Sequence, residues 1–235
     1  MSGRVEFSRF SELHGRYLNR DLHVHTSRTD GENTTVEMVE AARRCGLSEI
    51  AVTDHVRRSS DWFADHARDI RAQSSADLAV AVGLETKILD ADGTLDATPE
   101  MLAEADLVLG SVHRFPDGAG GLLEFATLSP QQIIETETSM ALALVRSSAI
   151  DVLAHPGGMS QRWTGSFPES HYRVILEEAK RRAVAVELSS SYIADLRSFM
   201  ELCREVDPLV SVGSDAHRVG DVGRCRDLVR EFVHP

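Results

Sequence analysis

The amino-acid sequence predicts an α/β fold in which seven strands, each followed by a helix, close into a barrel. Short apolar runs typical of strands alternate along the chain with longer amphipathic segments typical of helices. This alternation implies parallel strands joined by crossover helices. Seven such units, each of about thirty residues, fit a barrel better than an open sheet. Because no shift in composition marks a linker, residues 1–235 are expected to form a single domain.

The amino-terminal residues 1–20 are expected to form an arm or a short helix that covers one end of the barrel. Phe10, Leu13 and Tyr17 recur there at roughly helical spacing. The barrel itself is expected to occupy residues 21–225.

Seven apolar runs are predicted to be the strands of the barrel. They occupy residues 21–25, 49–53, 78–85, 106–112, 150–154, 183–188 and 209–213. Runs of this length suit strands of a parallel sheet, which are buried on both faces.

Signals for the start of a helix precede several of the intervening segments. Thr34 and Glu37 match a capping box, in which each side chain satisfies a free backbone N–H of the other residue, and Ser129 with Gln132 repeats the pattern. Pro99 stands at the first position of another predicted helix. Helices are predicted over residues 34–45, 56–76, from 98, from 129, and over 169–182, 194–206 and 221–233.

Three connecting segments are predicted to be loops without a nucleotide or calcium site. Residues 115–121 are rich in glycine but lack both the G-x-G-x-x-G pattern and the lysine of a phosphate-binding loop. Residues 90–93 lack the ligand spacing of a calcium loop. Residues 156–168 are expected to form a polar loop that carries Arg162 and Trp163.

The composition indicates a globular protein with an acidic surface. Hydrophobic residues make up 42% and charged residues 26% of the 235 residues, and the formal net charge is -12. Nucleic acid is an unlikely partner, because non-specific binding to it needs a basic surface. The amino terminus lacks the apolar segment of a signal peptide, and no apolar run approaches the length needed to cross a membrane.

The three cysteines point to a reducing compartment, and we expect a cytoplasmic protein. Cys45, Cys203 and Cys225 are scattered, and no C-x-x-C motif is present. An odd number of cysteines does not give a complete disulfide framework.

Candidate metal ligands stand at six of the seven predicted strand ends. In a barrel of this type, the loops that follow the strands build the site at the carboxyl-terminal face. Two residues spaced i, i+2 on a strand point to the same side, as His23 and His25 would. The candidate ligands are His23, His25, Asp30, His55, Glu85, His113, His155, Asp215 and His217. The remaining histidines are expected to be ordinary surface or core residues: His14, His66, His171 and His234.

This ligand set predicts a cluster of two or three divalent transition-metal ions. Imidazoles and carboxylates without thiolates suit Zn, Mn or Fe. Nine ligands are too many for one ion, so ions that share a carboxylate or a water are expected. Such clusters lower the pKa of a bound water to near neutrality and hold the oxygens of a phosphoryl group.

Four arginines could bind the phosphate of a substrate. They follow ligand-bearing strand ends or lie in loops on the same face: Arg57, Arg114, Arg162 and Arg218. Arginine binds phosphate through two parallel hydrogen bonds. For each of them, a solvated surface side chain is the alternative interpretation.

Six motifs together resemble the PHP (polymerase and histidinol phosphatase) family of metal-dependent phosphoesterases. In chain order they are DLHVHT, AVTDH, VGLE, GSVH, LAHPGG and GSDAH. The resemblance spans about residues 20–225 and implies a distorted seven-stranded β/α barrel with three metal ions. It is strongest to the stand-alone PHP phosphatases and to the PHP domain of some bacterial family-X DNA polymerases, although no polymerase domain is present.

The resemblance also implies how the ligands are shared among the ions. The first ion would be held by His23, His25, Glu85 and Asp215. Glu85 would bridge to a second ion, which is also held by His113 and His155. The third would be held by Asp30, His55 and His217. At the third site this chain has Asp30 where some relatives have histidine, so the third ion is expected to be held more weakly or to be a different metal.

The function expected from the sequence is hydrolysis of a small phosphate monoester by the metal cluster, with a bridging hydroxide as nucleophile. Glu85, Asp215 and His217 are the expected catalytic residues. A phosphodiesterase or 3′–5′ exonuclease acting on nucleotides or short nucleic acid is an alternative with the same chemistry. An inactive metal-binding regulatory module is an alternative of another class, which the complete ligand set disfavours. The oligomeric state is left open.

Overall fold

A computed structural model describes residues 4–147 and 149–233 of the chain. Its eight strands form one sheet, in the order β1-β8-β7-β6-β5-β4-β3-β2. The strands are β1 (Ser8–Arg9), β2 (Arg20–Val24), β3 (Glu49–Val52), β4 (Ala79–Lys87), β5 (Leu107–Ser111), β6 (Val152–Leu153), β7 (Ala185–Ser189) and β8 (Leu209–Gly213). Neighbouring strands from β2 to β8 are parallel, and β1 pairs antiparallel with β8.

Helices connect the parallel strands and cover the outside of the sheet. They are α1 (Thr35–Arg44), α2 (Phe63–Arg71), α3 (Pro99–Glu104), α4 (Pro130–Ser147), α5 (Gly158–Thr164), α6 (Glu169–Arg182), α7 (Leu196–Val206) and α8 (Arg224–Val233). The capping box predicted at the start of α1 is formed, with hydrogen bonds between Thr34 and Glu37 in both directions. Within the two described ranges, no helix is long and apolar enough to cross a lipid bilayer.

The sheet closes into a barrel at the carboxyl-terminal ends of its strands. Val24, at the end of β2, forms a parallel bridge with Ala216, just beyond β8. The backbone N–H of His25 donates to the carbonyl of Ala216 at 2.9 Å. At the opposite end, β1 pairs with the start of β8, in the place where β2 would pair in a regular barrel. The predicted α/β fold with a seven-stranded barrel is confirmed.

The interior of the barrel is filled by small and medium apolar side chains from the strands. This cluster comprises Leu22, Ala51, Ala81, Leu107, Leu109, Val152, Ala154 and Ala185. A larger cluster packs between the sheet and the helices. The apolar interior leaves the carboxyl-terminal end of the barrel to polar side chains, the end at which such folds carry their sites.

Two predicted segments differ from the structure. The helix predicted over 56–76 is confined to Phe63–Arg71, because the residues before it form a turn in which Ser60 Oγ accepts from the backbone N–H of Arg57 at 3.0 Å. The loop predicted over 156–168 contains the short helix α5. The Glu137 carboxylate of α4 accepts from the first-turn N–H groups of Met159 and Ser160 at 3.0 and 2.6 Å. This tertiary contact satisfies the free N–H groups at the start of α5.

The arm before the barrel is not a regular helix. It contains β1 and two turns of 3-10 helix, Phe10–Glu12 and Gly15–Tyr17. Residues 1–3 of the predicted arm lie outside the described residues.

The close packing at the end of β8 gives a prediction about stability. A Cβ atom on Gly213 would overlap Oε1 of Glu187 and lie 2.8 Å from Cβ of His23. Gly213→Ala should therefore lower the free energy of unfolding by about 1–3 kcal/mol, as overpacking of a core does. Urea denaturation measures this quantity. Gly220→Ala is the matched control, because a Cβ atom there meets nothing within 4 Å. Equal stability of the two variants would contradict the packing described.

Candidate metal centre

The nine predicted ligands converge at the carboxyl-terminal end of the barrel. His23 lies in β2 and Glu85 in β4, and the others follow β2, β3, β5, β6 and β8. Pairing of β2 with β3 is irregular between Asp21 and Val24. As a result, Leu22 packs in the barrel interior while the next residue, His23, points to the ligand cluster. Such irregularities often redirect side chains beside functional sites.

Glu85 is the centre of the cluster, and its two oxygens face different histidines. Oε1 lies 3.2 Å from Nε2 of His113 and 3.0 Å from Nε2 of His155. Oε2 lies 2.9 Å from Nδ1 of His55. Because Glu85 is only 1% exposed, its charge must be compensated by these neighbours rather than by solvent.

Oε2 of Glu85 also faces His23, in β2, and His25, which directly follows this strand. Oε2 of Glu85 lies 3.5 Å from Nε2 of His23 and 3.4 Å from Nε2 of His25. Oδ1 of Asp215 lies 3.1 Å from the same atom of His25. The two imidazole Nε2 atoms are themselves 3.0 Å apart, and both side chains are fully buried. Two ring nitrogens and two carboxylate oxygens thus converge on one small volume.

A third group lies nearer to solvent. Oδ2 of Asp30 is 3.1 Å from Nε2 of His55 and 3.4 Å from Nε2 of His217. The side chains of these residues are 48%, 33% and 36% exposed respectively. The cluster therefore runs from a buried inner part at His23 to an open outer part at Asp30.

The electrostatics of the cluster favour positive charge beside the carboxylates. Burial alone would raise the pKa of Glu85, but the surrounding imidazoles, His113 first, lower it well below its usual value. Burial alone would lower the pKa of His23, but the charges of Glu187 and Asp215 raise it well above its usual value. For His25, burial prevails and lowers the pKa. Protons or cations at this place would compensate the carboxylates.

The residues present fit divalent metal ions. Three groups have ligand atoms within 4.8 Å of one another: His25, Asp30, His55 and His217; His23, His25 and Glu85; and His55, Glu85 and His113. The buried Nδ1 of His25 has no hydrogen-bond partner. His155 and Asp215 adopt φ values of 26° and 51°, which residues other than glycine seldom do. Backbone strain of this kind clusters at functional sites.

Glu187, in β7, supports the cluster and was missed as a site residue. Its Oε1 accepts from Nδ1–H of His23 at 2.7 Å, which turns Nε2 of that ring toward Glu85. Its Oε2 accepts from the backbone N–H of His155 at 2.6 Å. Carboxylates commonly orient metal-binding histidines in this way. The signal available in the sequence was an acidic residue near the end of the sixth barrel strand, the one strand end without an assigned ligand.

Asp54 was also missed, and it holds the loop that carries Asp30. Its carboxylate accepts from the backbone N–H of Thr26 at 2.8 Å and from the hydroxyl groups of Thr26 and Thr29 at 2.7 Å each. Nε2–H of His66 donates to the same carboxylate at 2.8 Å. His66 is thus a buried structural histidine that contacts Asp54 and is not one of the nine candidate ligands.

Two of the other histidines set aside from the sequence, His14 and His171, have hydrogen-bond partners outside the cluster. Nδ1 of His171 lies 2.9 Å from the hydroxyl of Thr138, and Nδ1 of His14 lies 2.7 Å from the carbonyl of Glu12. His234 lies outside the described residues.

A cavity of about 460 Å³ opens over the cluster, and two of the four predicted arginines line it. Arg114 and Arg162 stand in its wall with Glu85, Asp215 and His217. Arg57 and Arg218 are exposed and are not among its lining residues. Nε of Arg218 instead donates to Asp221 at 2.8 Å. A role for Arg57 and Arg218 in substrate binding stays a prediction.

Comparison with known proteins agrees with this architecture. A protein from Enterobacter sp. (strain 638), named a probable phosphatase, is 26% identical over 231 residues, covering 92% of this chain and 86% of that protein. A probable phosphatase from Caldanaerobacter subterraneus is 26% identical over 223 residues, covering 89% of this chain and 80% of its own length.

Among solved structures, the chain resembles a histidinol phosphate phosphatase from Lactococcus lactis. That crystal structure contains zinc, L-histidinol and phosphate. The TM-score is 0.66 at 16% identity, covering 91% of this chain and 92% of the other, which supports the fold.

A family model confirms the relationship predicted from the six motifs. The PHP domain model matches residues 21–191, most of the chain and most of the barrel. This protein belongs to the PHP domain family.

Proposed function

We propose that this protein is a metal-dependent phosphatase that hydrolyses small phosphate monoesters. One observation carries the proposal: Glu85, buried at the base of a cavity, presents one oxygen to His113 and His155 and the other to the histidines on the opposite side. A carboxylate placed between two sets of imidazoles is suited to bridge two cations. Clusters of this kind serve the transfer of phosphoryl groups.

Two or three ions of Zn, Mn or Fe would be held by the ligands identified above. The inner ion would bind to His23, His25, Glu85 and Asp215. The second would bind to Glu85, His113 and His155, and the outer one to Asp30, His55 and His217. When bound, such ions acidify a water and withdraw charge from the phosphoryl oxygens.

The residues that line the cavity would act on the substrate. Glu85, Asp215 and His217 reach the cavity wall, so they are the proposed catalytic residues. Arg114 and Arg162 line the same cavity and would each bind phosphate oxygens bidentately. In the reaction, water oxygen bonds to phosphorus, the P–O bond to the alcohol breaks, and the alcohol leaves with a proton.

The surroundings of the site favour a small substrate over a long nucleic acid. The net charge of -12 disfavours binding of a long polyanion. Relatives named probable phosphatases support the same substrate class. Three free cysteines support a reducing compartment, and the proposed location of the protein is therefore the cytoplasm.

The first test is metal content. Protein purified without chelator should contain two to three transition-metal ions per chain, measured by elemental mass spectrometry. The outer site should lose its ion first to a chelator, because Asp30 is 48% exposed whereas Glu85 is only 1% exposed. Asp30→Asn should lower the content by one ion. A stoichiometry of one ion or none after supplementation would contradict the cluster.

The second test concerns the bridging carboxylate. Glu85→Gln keeps the shape of the side chain but removes the negative charge that would offset the repulsion between two cations. The variant should lose at least one ion, and its activity should fall about 100-fold or more. This loss exceeds the usual effect of changing a residue that only hydrogen-bonds to a metal ligand. Glu177→Gln is the matched control, since Glu177 is exposed on α6. Full metal content and turnover in Glu85→Gln would rule out the bridge.

The third test separates a phosphatase from a nuclease. With metal present, small sugar phosphates and p-nitrophenyl phosphate should be hydrolysed faster than single-stranded DNA is degraded. Arg114→Ala and Arg162→Ala should each raise KM about tenfold, as expected for a lost charge-assisted hydrogen bond, without changing metal content. Arg44→Ala, an exposed arginine at the end of α1, is the control. The proposal would be overturned by rapid, metal-dependent release of nucleotides from DNA ends without turnover of any small monoester.

A further inference from the structure

The cavity over the metal centre has an aromatic side that phosphate recognition does not explain. Phe125, Met159, Trp163 and Tyr192 line it together with the two arginines. A phosphate group needs cations and hydrogen-bond donors, and it gains nothing from the face of an indole or a phenyl ring. The ring faces are therefore available to another part of a ligand.

Trp163 is held rigidly but remains half exposed. Its ring stacks on Phe125 with a centroid distance of 5.0 Å and an interplanar angle of 7°. Phe125 in turn packs at 4.6 Å against Phe115, which is fully buried. Trp163 is nevertheless 49% exposed, the one aromatic among the large exposed hydrophobic residues in the described ranges. One face of the indole is thus backed by the core and the other is free.

The helix that carries Trp163, α5, begins three residues after the ligand His155 and is held by α4. The buried carboxylate of Glu137 accepts from the backbone N–H groups of Met159 and Ser160, in the first turn of α5. Arg162, one residue before Trp163, lines the same cavity. A ligand whose phosphate contacts Arg162 would therefore have the rest of its structure within reach of the indole.

A second cavity beside the cluster differs from the first in its lining residues. This space of about 510 Å³ shares Arg162, Tyr192 and Asp215 with the first, but its other lining residues include Gln161 and Ser191. Phe125, Met159 and Trp163 line only the first cavity, so the space around Arg162 has one branch with these side chains and one without them. The alcohol part of a substrate can be selected by the branch that it enters.

We infer that the free face of Trp163 binds a planar aromatic ring, and that the preferred substrates are phosphate monoesters of aromatic or heteroaromatic alcohols. The inference rests on the proposed function, since it takes the phosphoryl group to lie at the metal centre. Aromatic rings prefer offset stacking, which stabilises a pair beyond the area that it buries. A saturated ring of the same size gains the burial but not the stacking.

The decisive experiment measures binding rather than turnover. Metal-loaded protein is titrated calorimetrically with 2-phenylethylphosphonate and with 2-cyclohexylethylphosphonate, which share charge and length and cannot be hydrolysed. The phenyl compound should bind about 3- to 10-fold more tightly. Burial of apolar area alone gives no such preference, because the cyclohexyl ring is at least as apolar.

Three variants connect this preference to the indole. Trp163→Ala should abolish the preference, and Trp163→Phe should retain most of it. Leu228→Ala, which truncates an exposed apolar residue on α8, should leave it unchanged. Metal content, measured in each variant, should equal that of the unmodified protein.

The possible outcomes separate this inference from the proposed function. Equal or tighter binding of the cyclohexyl compound, a preference that survives in Trp163→Ala, or no binding of either phosphonate would overturn the aromatic site. Turnover of 2-phenylethyl phosphate is measured in parallel. If that ester is not hydrolysed while the phenyl preference depends on Trp163, the aromatic site stands and the phosphatase proposal fails.

Discussion

The structure depends on one buried negative charge, the carboxylate of Glu85. A carboxylate that is 1% exposed cannot be stabilised by solvent, and an unpaired charge in such a place is costly. Glu85 can be buried because imidazoles from four other strand ends surround it. A parallel barrel makes this possible, since it brings the ends of distant strands to one rim. The same convergence that compensates the charge also creates a site for cations.

A second layer of carboxylates fixes the ligands in place. Glu187 orients His23 and holds the backbone of His155, and Asp54 holds the loop of Asp30. Glu137 does the same for the first turn of α5, which carries part of the cavity wall. Each of these acids satisfies backbone or ring N–H groups that would otherwise be unpaired. These three acids therefore have a structural role around the metal centre.

The site is graded from a closed interior to an open mouth. His23 and His25 are fully buried, whereas Asp30 is about half exposed to solvent. The ions proposed here would accordingly differ in how firmly they are held, with the outer one exchanging most readily. Beyond the mouth, the cavity passes from the charged groups to the stacked rings of Phe125 and Trp163. Under the function proposed above, phosphate binding and selection of the alcohol would be separate tasks of neighbouring surfaces.

The sequence by itself determined the α/β class, the seven strands and the convergence of the nine ligands, because apolar periodicity and strand-end positions are local properties. Only the tertiary structure revealed the roles of Glu187 and Asp54, since each depends on partners distant in sequence or on the path of a loop. It also replaced a predicted loop by α5, whose first turn relies on Glu137 from another helix. Of four exposed arginines, it put Arg114 and Arg162 in the cavity wall and left Arg57 and Arg218 outside that wall. Side-chain direction at a strand end is fixed by packing across the barrel, and the residues along one strand do not encode it.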